Sequence, residues 1–185
     1  MSDDDRVRWD HRYSDNARLP AGRVDLPDVF GPYAEIFPTA GRALDLACGC
    51  GLNAVWLARR GMAVHGVDVS PVAIARARDL AGDEGVADRC NFEVFDLDRG
   101  LPAVPPVDVL LCNRFRDRRL DAAIIGRLAA GGLLAMSALS EVGAEPGPYR
   151  AAAGELTRAF GTLEVLGAGE GDGQAWLVAR ARPRN

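Results

Sequence analysis

The chain has 185 residues, 48% hydrophobic and 26% charged, the balance of one globular domain in the usual range of roughly 100–200 residues. Collagen-like, disordered and disulfide-scaffold chains are excluded, and no apolar run reaches the ~18–20 residues that span a bilayer. A formal net charge of −4 argues against a general nucleic-acid surface, which needs clustered positive charge. All 22 basic residues are arginine, so any mechanism built on a lysine, as a Schiff base or in a phosphate loop, is out.

The first residues are acidic, with no apolar stretch behind them, which predicts a cytoplasmic protein without membrane attachment. Cys48, Cys50, Cys90 and Cys112 are then expected to be reduced thiols. Neither Cys48-x-Cys50 nor the histidines, His11 and His65, have metal-ligand spacing, so no metal is expected.

Residues 6–13 predict a short helix with Trp9 and Tyr13 at i, i+4. Pro27 opens a second helical piece over 28–37, closed by Pro38. Together residues 1–37 form a helical lead-in, and a core is expected over 42–181 of a single domain, 1–185. Apolar runs at 42–47, 62–67, 91–95, 107–112 and 133–137 predict strands. Helical periodicity fills 52–60, 71–82 and 117–128, whereas 97–106 is loop-like. Ser70-Pro71 is a helix start and Gly61 a helix stop. Further on, a helix is expected over about 151–160 and a strand over 162–166. A glycine-rich loop at 167–173 and a last strand at 174–180 complete an antiparallel hairpin. The expected fold is α/β, a Rossmann-like, seven-stranded, mostly parallel sheet with a C-terminal antiparallel hairpin and helices on both faces.

The first strand runs into Asp45-Leu46-Ala47-Cys48-Gly49-Cys50-Gly51-Leu52-Asn53-Ala54, a glycine turn that opens a helix. Gly49 and Gly51 let backbone approach a ligand where a Cβ would collide, and the spacing also meets the loose dinucleotide fingerprint. Asp45 at the strand end is placed either to accept hydrogen bonds from loop amides or to meet a ligand cation. The second strand ends in Asp68-Val69-Ser70, an acidic tip able to accept both hydroxyls of a ribose. The third ends near Asp96-Leu97-Asp98, a carboxylate and a backbone amide suited to an adenine. Three acidic strand tips disfavour a pyrophosphate and favour a sulfonium cation with an α-amino group.

With the Asp45-to-Gly51 loop, Gly66-Val67-Asp68, Asp96-Leu97 and the terminal hairpin, the chain resembles the class I S-adenosylmethionine-dependent methyltransferases over about 40–181. It is similar in particular to the small tellurite-resistance and thiopurine-type enzymes, through Trp9-Asp10-His11-Arg12-Tyr13, the segment 115–120, and Gly154-Glu155-Leu156. It departs from their pattern after the fourth strand, with Arg116 for a leucine and Arg119 for a proline.

The resemblance implies S-adenosyl-L-methionine as methyl donor, S-adenosyl-L-homocysteine as product, and a small-molecule acceptor. Asp45 and the Gly49–Gly51 backbone would seat the methionine part, Asp68 the ribose, and Asp96 with Leu97 the adenine, and Ala47, Asn53 and Val69 belong to the cofactor set. Asn113 belongs to the same cofactor set and, with Phe115 and Tyr13, borders the reacting centre. Two matters stay open. Trp9 and Tyr13 are either a packing stripe or part of a lid over the cofactor. Arg114, Arg116, Arg118 and Arg119 are either an anion-binding patch or a solvated helix start neutralised by Asp117 and Asp121. The alternative functions are a cofactor-binding regulator without catalysis and an NAD(P)-dependent oxidoreductase, the latter disfavoured by the acidic tips, the missing lysine and the hairpin.

Overall fold

The structure, a computed structural model, describes residues 3–15, 24–147 and 149–183. Residues 16–23 of the expected lead-in lie outside it. The chain divides into two compact units, one made of residues up to Leu26 with Thr39–Ala103, the other of Pro27–Pro38 with Val104 onward.

The first unit contains α1 (Asp3–Asp15), β1 (Arg42–Leu46), α2 (Leu52–Arg59), β2 (Ala63–Asp68), α3 (Pro71–Asp83) and β3 (Cys90–Val94). Its strands are parallel, in the order β3-β2-β1. Ala43, Leu44, Asp45 and Leu46 are all buried, as a parallel strand covered on both faces requires. Ser70 starts α3, its hydroxyl accepting the Ala73 amide at 3.1 Å, with Pro71 at the first helical position. The stretch after β3 holds only a 3-10 turn, Leu97–Arg99.

The second unit opens with a 3-10 helix, Asp28–Ile36, that contains Pro32. It continues with β4 (Val107–Cys112), α4 (Asp121–Arg127), β5 (Leu128–Ser140), β6 (Arg150–Ala151), α5 (Glu155–Ala159), β7 (Glu164–Gly171) and β8 (Gln174–Arg180). The order is β4-β5-β8-β7; β4 and β6 run parallel to β5, and β8 is antiparallel to both β5 and β7. Leu110, Leu111, Leu134, Leu177 and Phe160 are among its buried core.

The described residues form eight strands where seven were expected. The extra one, β6, is two residues long, too short for any periodicity, and the Glu141 amide closes onto the Ala151 carbonyl at 3.0 Å. It takes Ala151 out of the helix expected from there, and α5 starts only at Glu155. The glycine run at 167–171 is strand rather than loop, and the turn is Asp172-Gly173 alone, both residues at positive φ. Those glycines make room for aromatic rings. A Cβ on Gly167 would overlap the Tyr33 hydroxyl, and one on Gly169 would stand 2.6 Å from Trp176 Nε1. Among the described residues no helix is long and apolar enough to cross a membrane.

Candidate cofactor site

The carboxyl ends of β1 and β2, where parallel sheets bind ligands, carry the loop 47–51. Ala47, Gly49 and Gly51 all have positive φ, at 49°, 53° and 80°. Left-handed backbone is uncommon for an alanine and costs free energy. A Cβ on Gly51 would stand 2.7 Å from Ala77 Cβ, so glycine there lets α2 and α3 approach each other. One on Gly49 would stand 2.9 Å from the Tyr13 hydroxyl.

Asp68 ties this loop down. Its Oδ2 accepts the Gly49 amide and its Oδ1 the Ser70 amide, both at 2.9 Å. Burial pushes its carboxyl above the ordinary range, and the same two amides oppose the shift. An ionised carboxylate has about four acceptor sites, so both oxygens keep capacity for a ligand.

Asp45 is different. It is fully buried, and neither oxygen has a hydrogen-bond partner among the described residues. Burial first, then the charge of Asp68, holds its carboxyl well above the ordinary value; the Ala54 amide pulls the other way without closing a hydrogen bond. Loop amides therefore fall to Asp68, and Asp45 has none.

Asn53 is buried in the first turn of α2, and Val69 is buried just beyond Asp68. Asp96 is half-buried and accepts the Asp98 amide at 3.0 Å, Leu97 is buried, and Asp98 is exposed. Helix α1 packs against α3 and reaches the loop. The Ser70 hydroxyl donates to Asp10 Oδ1 at 2.5 Å, and the Tyr13 hydroxyl rests over Gly49. Burial and the charge of Asp68 push the Tyr13 phenol upward. Trp9 stacks on Tyr13 at 5.8 Å, with the Arg12 guanidinium 5.2 Å from its ring. Asp10 escaped the sequence reasoning; its one local signal is that it shares a face of α1 with Tyr13, three residues on.

In the second unit, Asn113 and Phe115 follow β4, both half-buried. The Ser137 hydroxyl donates to Asn113 Oδ1 at 2.6 Å. Arg116 is 3% exposed and paired with Asp121 at 2.5 Å and Glu155 at 2.7 Å. Arg118 pairs with Glu155 and Arg119 with Asp117, each at 2.6 Å. Acids thus neutralise three of the four arginines. Burial raises the Glu155 carboxyl, but hydrogen bonds from Arg118, the Ala152 amide and Arg116 outweigh it and bring the pKa down to about 2.

His65 lies between Asn91 and Glu93, at 2.9 and 3.1 Å, and His11 is exposed. Among the described residues no group of three or more His, Cys, Asp or Glu could hold a metal ion. All four cysteines are free thiols, and burial holds that of Cys48 well above its ordinary pKa.

A methyltransferase-domain family model matches residues 43–129. The chain is 34% identical over 110 residues to the ribosomal protein L11 methyltransferase of Vibrio cholerae, covering 58% of this chain and 36% of that one. It spans about a quarter to a third of the length of the curated relatives it matches first. Among solved structures, TehB from Haemophilus influenzae superposes with a TM-score of 0.74 at 20% identity, over 94% of this chain and 67% of that one. The DhpI–SAH complex gives 0.63 at 21% identity, over 96% and 95% of the two chains. The fold is thus that of the S-adenosylmethionine-dependent methyltransferases, and the segment 43–129 matches the methyltransferase-domain family.

Proposed function

We propose that this chain transfers the methyl group of S-adenosylmethionine to a small-molecule acceptor. The observation that carries the proposal is Asp45, a fully buried carboxylate without a partner among the described residues, set behind a strained glycine loop. Ionising such a group costs several kcal/mol unless a cation pairs with it. The α-ammonium of the methyl donor is a matching cation. The loop backbone turns through positive φ at Ala47, Gly49 and Gly51, and glycine at 51 and at 66 on β2 lets Ala77 and Phe92 pack close beneath it, since a Cβ at either would stand 2.7 Å from those side chains.

In this proposal Asp45, Ala47, Gly49, Gly51 and Asn53 hold the methionine part of the cofactor. Asp68 and Val69 hold the ribose, and Asp96 with Leu97 the adenine. The cofactor supplies a methyl group already activated by its sulfonium, so the protein need only orient and desolvate, effects worth roughly 7–11 kcal/mol. Helix α1 serves as a lid, with the Tyr13 hydroxyl over the loop and Asp10 fastened to Ser70. The net charge of −4 favours a small acceptor over a nucleic acid.

Calorimetric titration of the purified chain with S-adenosylhomocysteine and with NADH tests the cofactor. The first should bind and the second should not; tighter binding of NADH overturns the assignment. Release of S-adenosylhomocysteine with a panel of small acceptors, against none with the donor alone, separates an enzyme from a binding protein.

A further inference from the structure

The segment after β4 contains four arginines, and the structure treats one of them differently. Arg116, Arg118 and Arg119 are each paired with a carboxylate. Arg114 is exposed and makes no ion pair with any described residue. It also sits at φ +59°, a conformation natural to glycine or asparagine and costly for arginine.

A fully buried side chain enforces that conformation. Ser137, on β5, accepts the Arg114 amide at 2.9 Å and donates its single proton to Asn113 Oδ1 at 2.6 Å. One hydroxyl therefore fixes the backbone of Arg114 and the side chain of Asn113. With its oxygen engaged, Asn113 keeps two protons on Nδ2 that bond no described residue. The result, on two consecutive residues, is a set of donors only: a guanidinium without an ion pair and an amide NH2 without a hydrogen bond among the described residues, at the carboxyl end of a parallel strand where such sheets bind ligands. Backbone strain that the surroundings over-determine is found mostly at functional positions.

We infer that Arg114 and Asn113 select an acceptor carrying an oxyanion, a carboxylate or a phosphate. Arginine matches such a group with two parallel donors, and an adjacent amide N–H adds a third. This assignment rests on the methyltransferase proposal and narrows its acceptor to small anions.

The test uses the full chain saturated with S-adenosylhomocysteine and two probe pairs, 4-hydroxybenzoate with its methyl ester and phenyl phosphate with phenol. Calorimetry or ligand-observed NMR should show at least one anion bound about tenfold or more tightly than its neutral partner. Arg114→Gln should bring that ratio to within about twofold. Arg114→Gly, which releases the left-handed strain, should melt no lower than wild type yet lose the preference equally, separating recognition from folding. The pair that shows the preference tells carboxylate from phosphate. A wild type that binds neither anion, binds them no better than the neutral probes, or keeps its preference in Arg114→Gln overturns the inference. If S-adenosylhomocysteine itself fails to bind, the methyltransferase proposal falls and takes this one with it. If it binds and the charge preference is missing, only the role of Arg114 is refuted.

Discussion

Replacing Asp68 with asparagine tests the loop and the cofactor at once. The wild-type carboxylate accepts two buried backbone amides, from Gly49 and Ser70, at 2.9 Å each. Asparagine keeps one acceptor oxygen, so one amide must face an NH2 group, donor against donor. Hydrogen bonds to a charged acceptor contribute about 1.5–3 kcal/mol. Burial already raises the Asp68 carboxyl, so removing the charge returns part of that cost, and the lower end of the range applies. A loss of about 1.5–2 kcal/mol lowers the melting temperature by about 3–8 °C in a chain of this size. The ribose assignment adds a separate loss, about 10- to 30-fold in S-adenosylhomocysteine affinity for a similar free energy. Thermal melts of the empty protein read the first effect, and calorimetry below the melting range reads the second. A variant that melts within about 1 °C of wild type refutes the loop-anchoring argument. A variant that melts lower but binds S-adenosylhomocysteine unchanged refutes the ribose role alone.

Other outcomes follow from the same geometry. In the double variant Trp9→Ala, Tyr13→Ala, a lid predicts an empty protein that melts near wild type, binds S-adenosylhomocysteine several-fold more weakly and gains less stability from it; a lower melt with unchanged affinity would make these rings core. Asp10→Ala removes the acceptor of the Ser70 hydroxyl and should speed S-adenosylhomocysteine release in stopped-flow experiments, and an unchanged off-rate rules out fastening. Because burial raises the Asp45 carboxyl in the empty protein and an ammonium beside it would favour the ionised form, binding should release protons and tighten as pH rises. Calorimetry in two buffers of different ionisation enthalpy measures this, and Asp45→Asn should reduce the proton release. Glu155, lowered to about 2 in the fold, stabilises above its unfolded value near 4.5, and that stability is lost as pH falls toward 2. Glu155→Gln should flatten the acid limb of the melting-temperature profile, and an unchanged limb refutes the Arg116–Glu155–Arg118 network.

What was legible in the sequence was local. The β1–loop–α2 unit could be placed because Asp45, Gly49 and Gly51 lie within one turn, and α3 because Ser70-Pro71 is a complete start signal. The hairpin order was legible, but its turn was not. Glycines 167–171 look like a loop to any local rule, yet they are strand because Tyr33 and Trp176 need the space above Gly167 and Gly169. Tyr33 is far away in the chain, so no window of sequence contains the reason. β6 was invisible for the opposite cause, being too short to carry a pattern.

The site shows the same division, and there it changes the chemistry. Strand tips located Asp45 and Asp68 correctly, since both ends follow from strand periodicity, but which carboxylate serves the loop depends on register between β1 and β2. That register puts Asp45 opposite Gly66, and Asp68 Oδ2, not Asp45, receives the Gly49 amide. Asp10 and Ser70 are 60 positions apart, so their hydrogen bond cannot be read from spacing. The arginine segment makes the point most sharply. Counting charges along 114–121 set four arginines against Asp117 and Asp121, and this could not say which guanidinium lacked a carboxylate. Glu155, 39 positions beyond Arg116, supplies the missing negative charge to both Arg116 and Arg118. The Arg116 side chain is thereby buried in the fold, Arg118 and Arg119 stay exposed but paired, and the fourth, held in a left-handed turn by a buried serine, is exposed without an ion pair to any described residue.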